Sequence, residues 1–444
     1  ILARLAALRD EQPMQRLDRA VLDSVMGFSP LLCRELCRRA GLPDGLPLAL
    51  AGRGDLQALG GAMDRLMDDV RGRRYEPCVI YASSAGAASS ASARGESGAA
   101  MVPAGIGDSA GGAGESGAPQ KPSDFYCFAL QCAGTASPRG TMSAAMDEYY
   151  AAKALAASLA SRKAALAKVV GTNAGRCRKK LAIQQESMRD SANRDTYRLY
   201  GELITANLHA IRSGAASARL LNYCSDAPDD YADIALDEDL SPQANAQLYF
   251  RKYRKASSTW KNAEIQSRES QKELAYLESV QQALDMAENQ YEIDEIRAEL
   301  SAQKYLPQAR AKGRKPAPAP ESLPRLFTSG DGLRIYVGKN NRQNDRLTLK
   351  TASSADIWLH ARNMPGSHVI IKKERGDVPE ATLLEAASLA AYFSRARWGE
   401  NVSVDYTAAK NVKKPPGAKP GMVTYENFGT LSVNPRLPVN RLHI

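Results

Sequence analysis

The residues best equipped for chemistry in this 444-residue chain are cationic, and they come in clusters. The stretch AAKNVKKPPGAKPG, residues 408–421, sets Lys410, Lys413, Lys414 and Lys419 on a backbone stiffened by three prolines. Ammonium groups presented this way suit phosphate. Lys372, Lys373 and Arg375 form a second cluster directly after a strand-like run. Trp358, His360 and His368 lie between such runs, where an indole and two imidazoles can stack on or hydrogen-bond a nucleotide. For Trp358, a place in the core on an inward strand face is an equal reading. For the two histidines, metal binding lacks a third ligand. A third cluster, NAGRCRKK at 173–180, carries Arg176, Arg178, Lys179 and Lys180. It reads either as a solvated helix face or as an RNA-backbone contact at the exposed tip of an arm.

Near the start, LDRAVLDSVMGFSPLLCRELCRRA, residues 17–40, gives two short amphipathic helices broken at Gly27-Phe28-Ser29-Pro30. A glycine turn followed by proline at a helix start can point backbone N–H groups at a phosphate, as in a helix-hairpin-helix. Ser29 stands where a second glycine is commonest, and a plain packing hairpin is the alternative.

Catalysis finds little support. There are four histidines, no GxSxG, no phosphate-binding P-loop and no run of carboxylates at metal spacing, so the chain is expected not to be an enzyme. The seven cysteines are scattered without a CxxC pair, and Cys33 and Cys37 have no second pair to complete a metal site. Neither metal nor cofactor is expected, and the cysteine usage fits a reducing cytoplasm. With 59 Lys+Arg against 49 Asp+Glu, the net charge of +10 favours a polyanionic partner. No segment looks like a membrane span or signal peptide. The chain begins with Ile and not Met, which suggests a fragment.

The elements that position these groups suggest a multidomain α+β protein. Residues 82–118 are nearly all Ala, Gly and Ser, a composition that cannot bury enough surface to offset chain entropy. From 141 to 213 no proline occurs, and Leu155, Leu159, Arg162, Leu166 and Val169 form a heptad seam. Unbroken, such a helix would reach roughly 110 Å at about 1.5 Å per residue. Ser241-Pro242 caps a second long helix, whose seam runs through Leu277, Val280, Leu284, Ala287 and Tyr291 to about Ala298. The two are expected to pair antiparallel as a coiled-coil arm. The connecting segment 220–240 is expected near the arm's base, with the tip near 171–180 or beyond Ala298. After a Lys/Arg, Pro and Ala linker at 312–324, period two replaces period 3.6. Strands are expected at 326–328, 333–337, 356–360, 368–371, 402–406, 422–425 and 430–433, with an Asp331-Gly332 turn and one helix at 379–397. Between Asp331 and Gly421 stand 15 Lys/Arg and 9 Asp/Glu, a local excess of six positive charges.

DIWLHARNMPGSHVII at 356–371 and VDYTAAKNVKKPPGAKPGMVTYENFGTLSVNP at 404–435 together resemble the RNA-binding module of the NFACT family, whose bacterial members are the RqcH proteins. The resemblance extends upstream through LDRAVLDSVMGFSPLLCRELCRRAGL, MDEYYAAKA at 146–154, LYGELITANLHAI at 199–211 and LSPQANAQLYFRKY at 240–253. It implies four parts: the remainder of an N-terminal domain at 1–140, with the helical hairpin at 17–41; a coiled-coil middle domain at 141–305; a linker at 306–324; and an RNA-binding domain at 325–444. By motif match it adds Asp356, Arg362 and Gly366 to the candidate RNA-binding residues. It implies a quality-control factor that binds the large ribosomal subunit, through rRNA of the 23S type and a stalk-base protein, while peptidyl-tRNA is still present. Such a factor recruits alanyl-tRNA for alanine tailing of the stalled chain. The family's first N-terminal lobe, with an Asp-Arg pair associated with tRNA handling, does not map onto this sequence, so the fragment is expected to bind subunits without extending chains. The rival is a surface adhesin, suggested by the older label fibronectin-binding protein A and by two Arg-Gly-Asp triplets, at 53–55 and 375–377.

Overall fold

A computed structural model of the chain describes residues 2–81, 121–132, 134–225, 230–307, 322–374, 376–437 and 441–442. The Ala/Gly/Ser segment, most of the linker and Arg375 lie outside the described residues. The chain divides into two units, residues 1–160 and 161–444.

The first unit opens with four helices, α1 (Leu2–Glu11), α2 (Leu17–Ser24), α3 (Pro30–Arg39) and α4 (Arg53–Arg71). They converge on a core of Leu5, Leu17, Val21, Leu36, Leu59 and Leu66. The α2–α3 turn is made by Gly27 at φ +88°, a conformation glycine adopts without strain. Ser29 ends the turn as the N-cap of α3, its Oγ accepting from the Leu32 N–H at 3.2 Å. An antiparallel sheet of β1 (Cys78–Tyr81), β2 (Pro122–Tyr126) and β3 (Thr135–Pro138), in the order β2-β1-β3, was not foreseen. Its strands are four or five residues long, too short for alternation to stand out. The helix α5 (Met142–Asp190) starts in this unit and ends in the second.

In the second unit the expected helix over 141–213 is two: after a turn at 191–193 comes α6 (Arg194–Ala206). An antiparallel hairpin follows, β4 (Ser217–Leu221) with β5 (Tyr231–Ala235), and then α7 (Pro242–Met286). Ser241 caps α7, its Oγ accepting from the Ala244 N–H at 3.2 Å. Gln184 of α5 donates to Ser270 of α7 at 3.2 Å, and Arg178 pairs with Glu278 at 2.8 Å, so the two helices run antiparallel. Their buried stripe follows Leu166, Val170, Ala174 and Cys177 on α5 and Ala263, Ser267, Ser270 and Leu277 on α7. Leu155 of the expected seam is exposed.

Two expectations about the arm are overturned. The connection at 220–240 is not near the base: the hairpin packs Leu220 and Ile234 against Leu203 and Ile204 of α6 and Tyr249 in the first turns of α7. The other end of α7 meets the C-terminal module from Tyr276 onward, so roughly 40 Å of helix separates the hairpin's contact at Tyr249 from that module. Gly201 permits this packing, since a Cβ there would lie 3.0 Å from the Phe250 ring. Nor does the second seam continue through Tyr291. Helix α7 stops at Ala287, whose ψ of 129° is extended, and Asn289 caps α8 (Gln290–Ala302), leaving Tyr291 exposed and burying Ile293, Ile296 and Leu300 instead.

The C-terminal module is built on seven strands, β6 (Arg325–Thr328), β7 (Arg334–Val337), β8 (Ile357–Ala361), β9 (Val369–Ile371), β10 (Val402–Ala408), β13 (Gly429–Val433) and β14 (Arg441–Leu442). They form one antiparallel sheet in the order β13-β10-β8-β9-β7-β6-β14. A short ladder of β11 (Val412–Lys413) and β12 (Thr424–Tyr425) carries the lysine-rich loop. On one face α10 (Glu380–Tyr392) packs its alanines over Leu359, Val369 and Ile371. The other face is covered by α9 (Asn341–Arg346), a π-turn at 347–351 and the lysine-rich loop, around Trp358, Ile370, Leu347 and Val412. Helix α9 carries no apolar period to betray it, because its six residues, NRQNDR, are all polar; Asn340 caps it by accepting from the Gln343 N–H at 2.9 Å.

Candidate nucleic-acid interface

Strand β8 sets the geometry. Alternation sends Leu359 toward α10, and Trp358 and His360 to the opposite face, where the two rings lie 5.8 Å apart and nearly parallel. His368 meets Trp358 edge-on at 5.3 Å, and Tyr425 closes the group at 4.8 Å. Trp358 is fully buried, so its ring has no face to offer a strand crossing the surface; the core reading replaces the stacking one. His368 is buried, within 2.7 Å of Thr348 through Nδ1, while His360 is half-buried. Burial lowers His360 to about 4 and His368 well below the ordinary range, so both are neutral at pH 7. Burial, together with the hydrogen bond it donates to Asp405 at 2.8 Å, pushes Tyr425 up to about 12.

Several candidates turn out to be committed to structure. Asp356 is buried and accepts from Lys372 Nζ at 2.7 Å, the Ser353 N–H at 2.8 Å and the Lys373 N–H at 3.1 Å. Burial alone would raise its pKa, yet these donors hold it below the ordinary value. Lys372 is thereby a partner of Asp356 and the Thr351 carbonyl, not a free phosphate contact. Lys414 pairs with Asp345. Lys419 lies over the rings of Tyr276 and Tyr305, 4.8 and 4.7 Å from their centroids, and hydrogen-bonds the Tyr305 hydroxyl. It therefore locks the loop onto α7 and the segment after α8. Gly366 sits against Ser394, where a Cβ would come within 3.1 Å.

Cations left toward solvent form the candidate surface. Lys410 and Lys413 are exposed, Lys373 is half-exposed beside Asp377, and Arg362 lies 3.8 Å from Asp405 and 5.8 Å over the Phe428 ring. Arg176, Arg178, Lys179 and Lys180 are carried on α5, but not at a tip. Cys177, buried among them, lies within electrostatic reach of Glu273 and Lys419, and Glu278, the partner of Arg178, also lies 3.9 Å from Arg395. The fold thus brings the α5 cluster and the lysine-rich loop to one region. Gly27 and Ser29 belong to the first unit, where Ser29 Oγ also lies 3.2 Å from the Tyr126 hydroxyl. Sequence reasoning missed Arg395 and the exposed Trp398; the run SRARW at 394–398 was a signal that a predicted helix over those residues concealed. Among the described residues no group of His, Cys, Asp or Glu could hold a metal, and no helix is long and apolar enough to cross a membrane.

A helical arm joined to a mixed, strand-rich cationic module matches two family descriptions, the NFACT N-terminal and middle domains over residues 115–318 and the NFACT RNA-binding domain over 324–427. The chain belongs to the NFACT family. Among its relatives, the Rqc2 homolog RqcH of Bacillus subtilis is 33% identical over 421 residues, covering 95% of this chain and 65% of that protein. RqcH of Streptococcus suis is 39% identical over 295 residues, or 66% of this chain and 52% of the relative. The chain therefore spans between about half and two thirds of the length of these curated relatives. A solved structure, the C-terminal part of the fibronectin/fibrinogen-binding protein from Streptococcus suis, aligns with a TM-score of 0.50 and 34% identity over 63% of this chain and 96% of that one.

Proposed function

We propose that this chain is part of a ribosome quality-control factor, not an enzyme; the chain binds the large ribosomal subunit carrying peptidyl-tRNA, and the whole factor recruits alanyl-tRNA for tailing of the stalled chain. The observation that carries this reading is the cationic region shared by α5 and the module. Arg178 and Arg395 share Glu278 there, Lys419 of the lysine-rich loop lies within electrostatic reach of Cys177 between Arg176 and Arg178, and Lys410, Lys413 and Arg362 are exposed on the same module, in a chain whose relatives bear the name RqcH. Exposed guanidinium and ammonium groups bind polyanions by releasing counterions, which makes the affinity fall steeply with salt. The antiparallel pair of α5 and α7 would act as the coiled-coil arm reaching a stalk-base protein, and the α2–α3 hairpin as an accessory RNA contact. Cytoplasmic location follows from that role.

The test is sedimentation of the chain with isolated large subunits at two salt concentrations, followed by sequencing of the tRNA carried along. Salt-sensitive co-sedimentation with one enriched tRNA supports the proposal. Loss of it in a charge-reversed Arg176→Glu, Lys179→Glu, Lys180→Glu variant would place the contact on α5. Absence of subunit binding by the wild-type chain would refute it.

A surface-adhesin reading rests on what the solved Streptococcus suis protein is called. The Arg53-Gly54-Asp55 triplet does not favour it: it forms the first turn of α4, with Asp55 Oδ2 accepting from the Gly52 N–H at 2.8 Å.

A further inference from the structure

Between the C-terminal part of α7 and the Trp358 face of the sheet lies a cavity of about 440 Å³, within the roughly 300–1,000 Å³ range of small-molecule sites. Glu278 and Ser279 line it from α7; Trp358, His360, His368 and Tyr425 line it from the module. Three features give it the character of a site. Trp358 is fully buried, yet its indole N–H has no acceptor among the described residues, and an orphaned donor in a core calls for a partner. The two imidazoles beside it are neutral; His368 is buried with its Nδ1 taken by Thr348 at 2.7 Å, which leaves the half-buried His360 ring as the uncharged partner for a ligand. The surroundings, in contrast, are cationic. Arg178 and Arg395, both next to Glu278, and Arg362, reaching Tyr425 through the Phe428 ring, have side chains 57%, 68% and 46% exposed. Uncharged rings on the module side, with Glu278 on the α7 wall offset by the guanidinium groups of Arg178 and Arg395, suit a planar heterocycle within and a phosphate at the mouth.

We propose that this cavity takes one unstacked nucleoside, its base held by the Trp358 indole N–H and the His360 ring, and its phosphate by Arg178, Arg362 or Arg395. The inference rests on the RNA-binding reading above and narrows it to a site built jointly by the arm and the module. The ligand unit is a nucleoside monophosphate, either within a single strand of RNA or free in solution.

The whole chain contains three tryptophans, Trp260, Trp358 and Trp398, so its indole ¹⁵N–¹H spectrum can be assigned with Trp260→Phe and Trp398→Phe variants. The spectrum is recorded with a mixed-sequence single-stranded RNA, with the same strand built of abasic sugars, and with each ribonucleoside 5′-monophosphate; strand affinity is followed separately by fluorescence anisotropy. The intact strand should shift the Trp358 resonance and the abasic strand should not. His360→Ala should weaken the intact strand about tenfold, the loss of one buried hydrogen bond, and leave the abasic strand's affinity unchanged. A shift with free monophosphates but not with the strand supports the cavity and assigns it to free nucleotide. Strand binding that leaves Trp358 unmoved, with no response to monophosphates, overturns the cavity while the RNA-binding reading stands. No strand binding and no shift overturn both.

Discussion

Asp356 lies in the stretch that most resembles an RNA-binding motif, but its surroundings describe a structural anchor, and Asp356→Ala separates the two roles. The carboxylate loses an ammonium donor and two backbone N–H donors, all within 3.1 Å. Three charge-assisted bonds at about 1.5–3 kcal/mol each would add up to more than is measured when buried ion pairs are broken, about 3–5 kcal/mol. The smaller figure applies, because the Lys372 side chain is 25% exposed and recovers water once released. Urea unfolding followed by Trp358 emission, in a background where Trp260 and Trp398 are Phe, should therefore show a loss of about 3–5 kcal/mol. Asp356→Asn, which keeps one acceptor oxygen, should lose less. At a temperature where the variant remains folded, RNA affinity should stay within about threefold of wild type, a difference of roughly 0.7 kcal/mol. A variant as stable as wild type to within about 1 kcal/mol, yet about tenfold weaker for RNA, would refute the anchor and put Asp356 in contact with the ligand.

Other consequences are as direct. Leu277 is fully buried between α7 and its neighbours, and Leu277→Ala should cost about 2–5 kcal/mol by chemical denaturation. His360 is held neutral by burial, with its pKa lowered to about 4. The unfolded chain takes up that proton first as pH falls, so the native state should lose stability between about pH 6.5 and 4 and be indifferent above, by about 2 kcal/mol at pH 5. Comparison of melting curves with His360→Phe should show the slope flattened. Cys33 and Cys37 are buried, with burial pushing them up to about 11 and about 12, whereas Cys224 is exposed; a thiol reagent on the native chain should modify Cys224 first and spare the other two until unfolding.

Much of the architecture was legible because it depends on local rules. Ser241-Pro242 announces α7, Gly27 the α2–α3 turn and Asp331-Gly332 the β6–β7 connection, where the Gly332 N–H closes on the Ser329 carbonyl at 3.0 Å with Gly332 at φ +83°. What escaped depends on distant partners. The break at Ala287 is invisible to a heptad count, since Leu284, Ala287 and Tyr291 keep their spacing; α8 turns because Asn341 and Tyr276 converge on the buried Glu299, at 3.1 and 2.8 Å. The position of 173–180 along the arm follows from the pairing of α5 with α7, which period alone does not set. For the interface, charge pointed to the right region but not to which lysines were free. Lys414 and Lys419 sit in the same loop as Lys410 and Lys413, and only the tertiary positions of Asp345, Tyr276 and Tyr305 engage the first two and leave them half-buried.

The unbroken course of α7 ties its ends in azimuth as well as in distance. Each residue inserted into a helix turns everything beyond it by about 100°, so one extra alanine in the middle of its 45 residues would swing the β4–β5 hairpin more than a quarter of the way around the axis. About seven or eleven added residues return the two ends to within some 20° of their present facing. The antiparallel course of α5 would have to lengthen in step, or pairings such as Gln184 with Ser270 would shear apart. The arm is thus a spacer that can change length only in quanta, and then on both strands of its descent and return together.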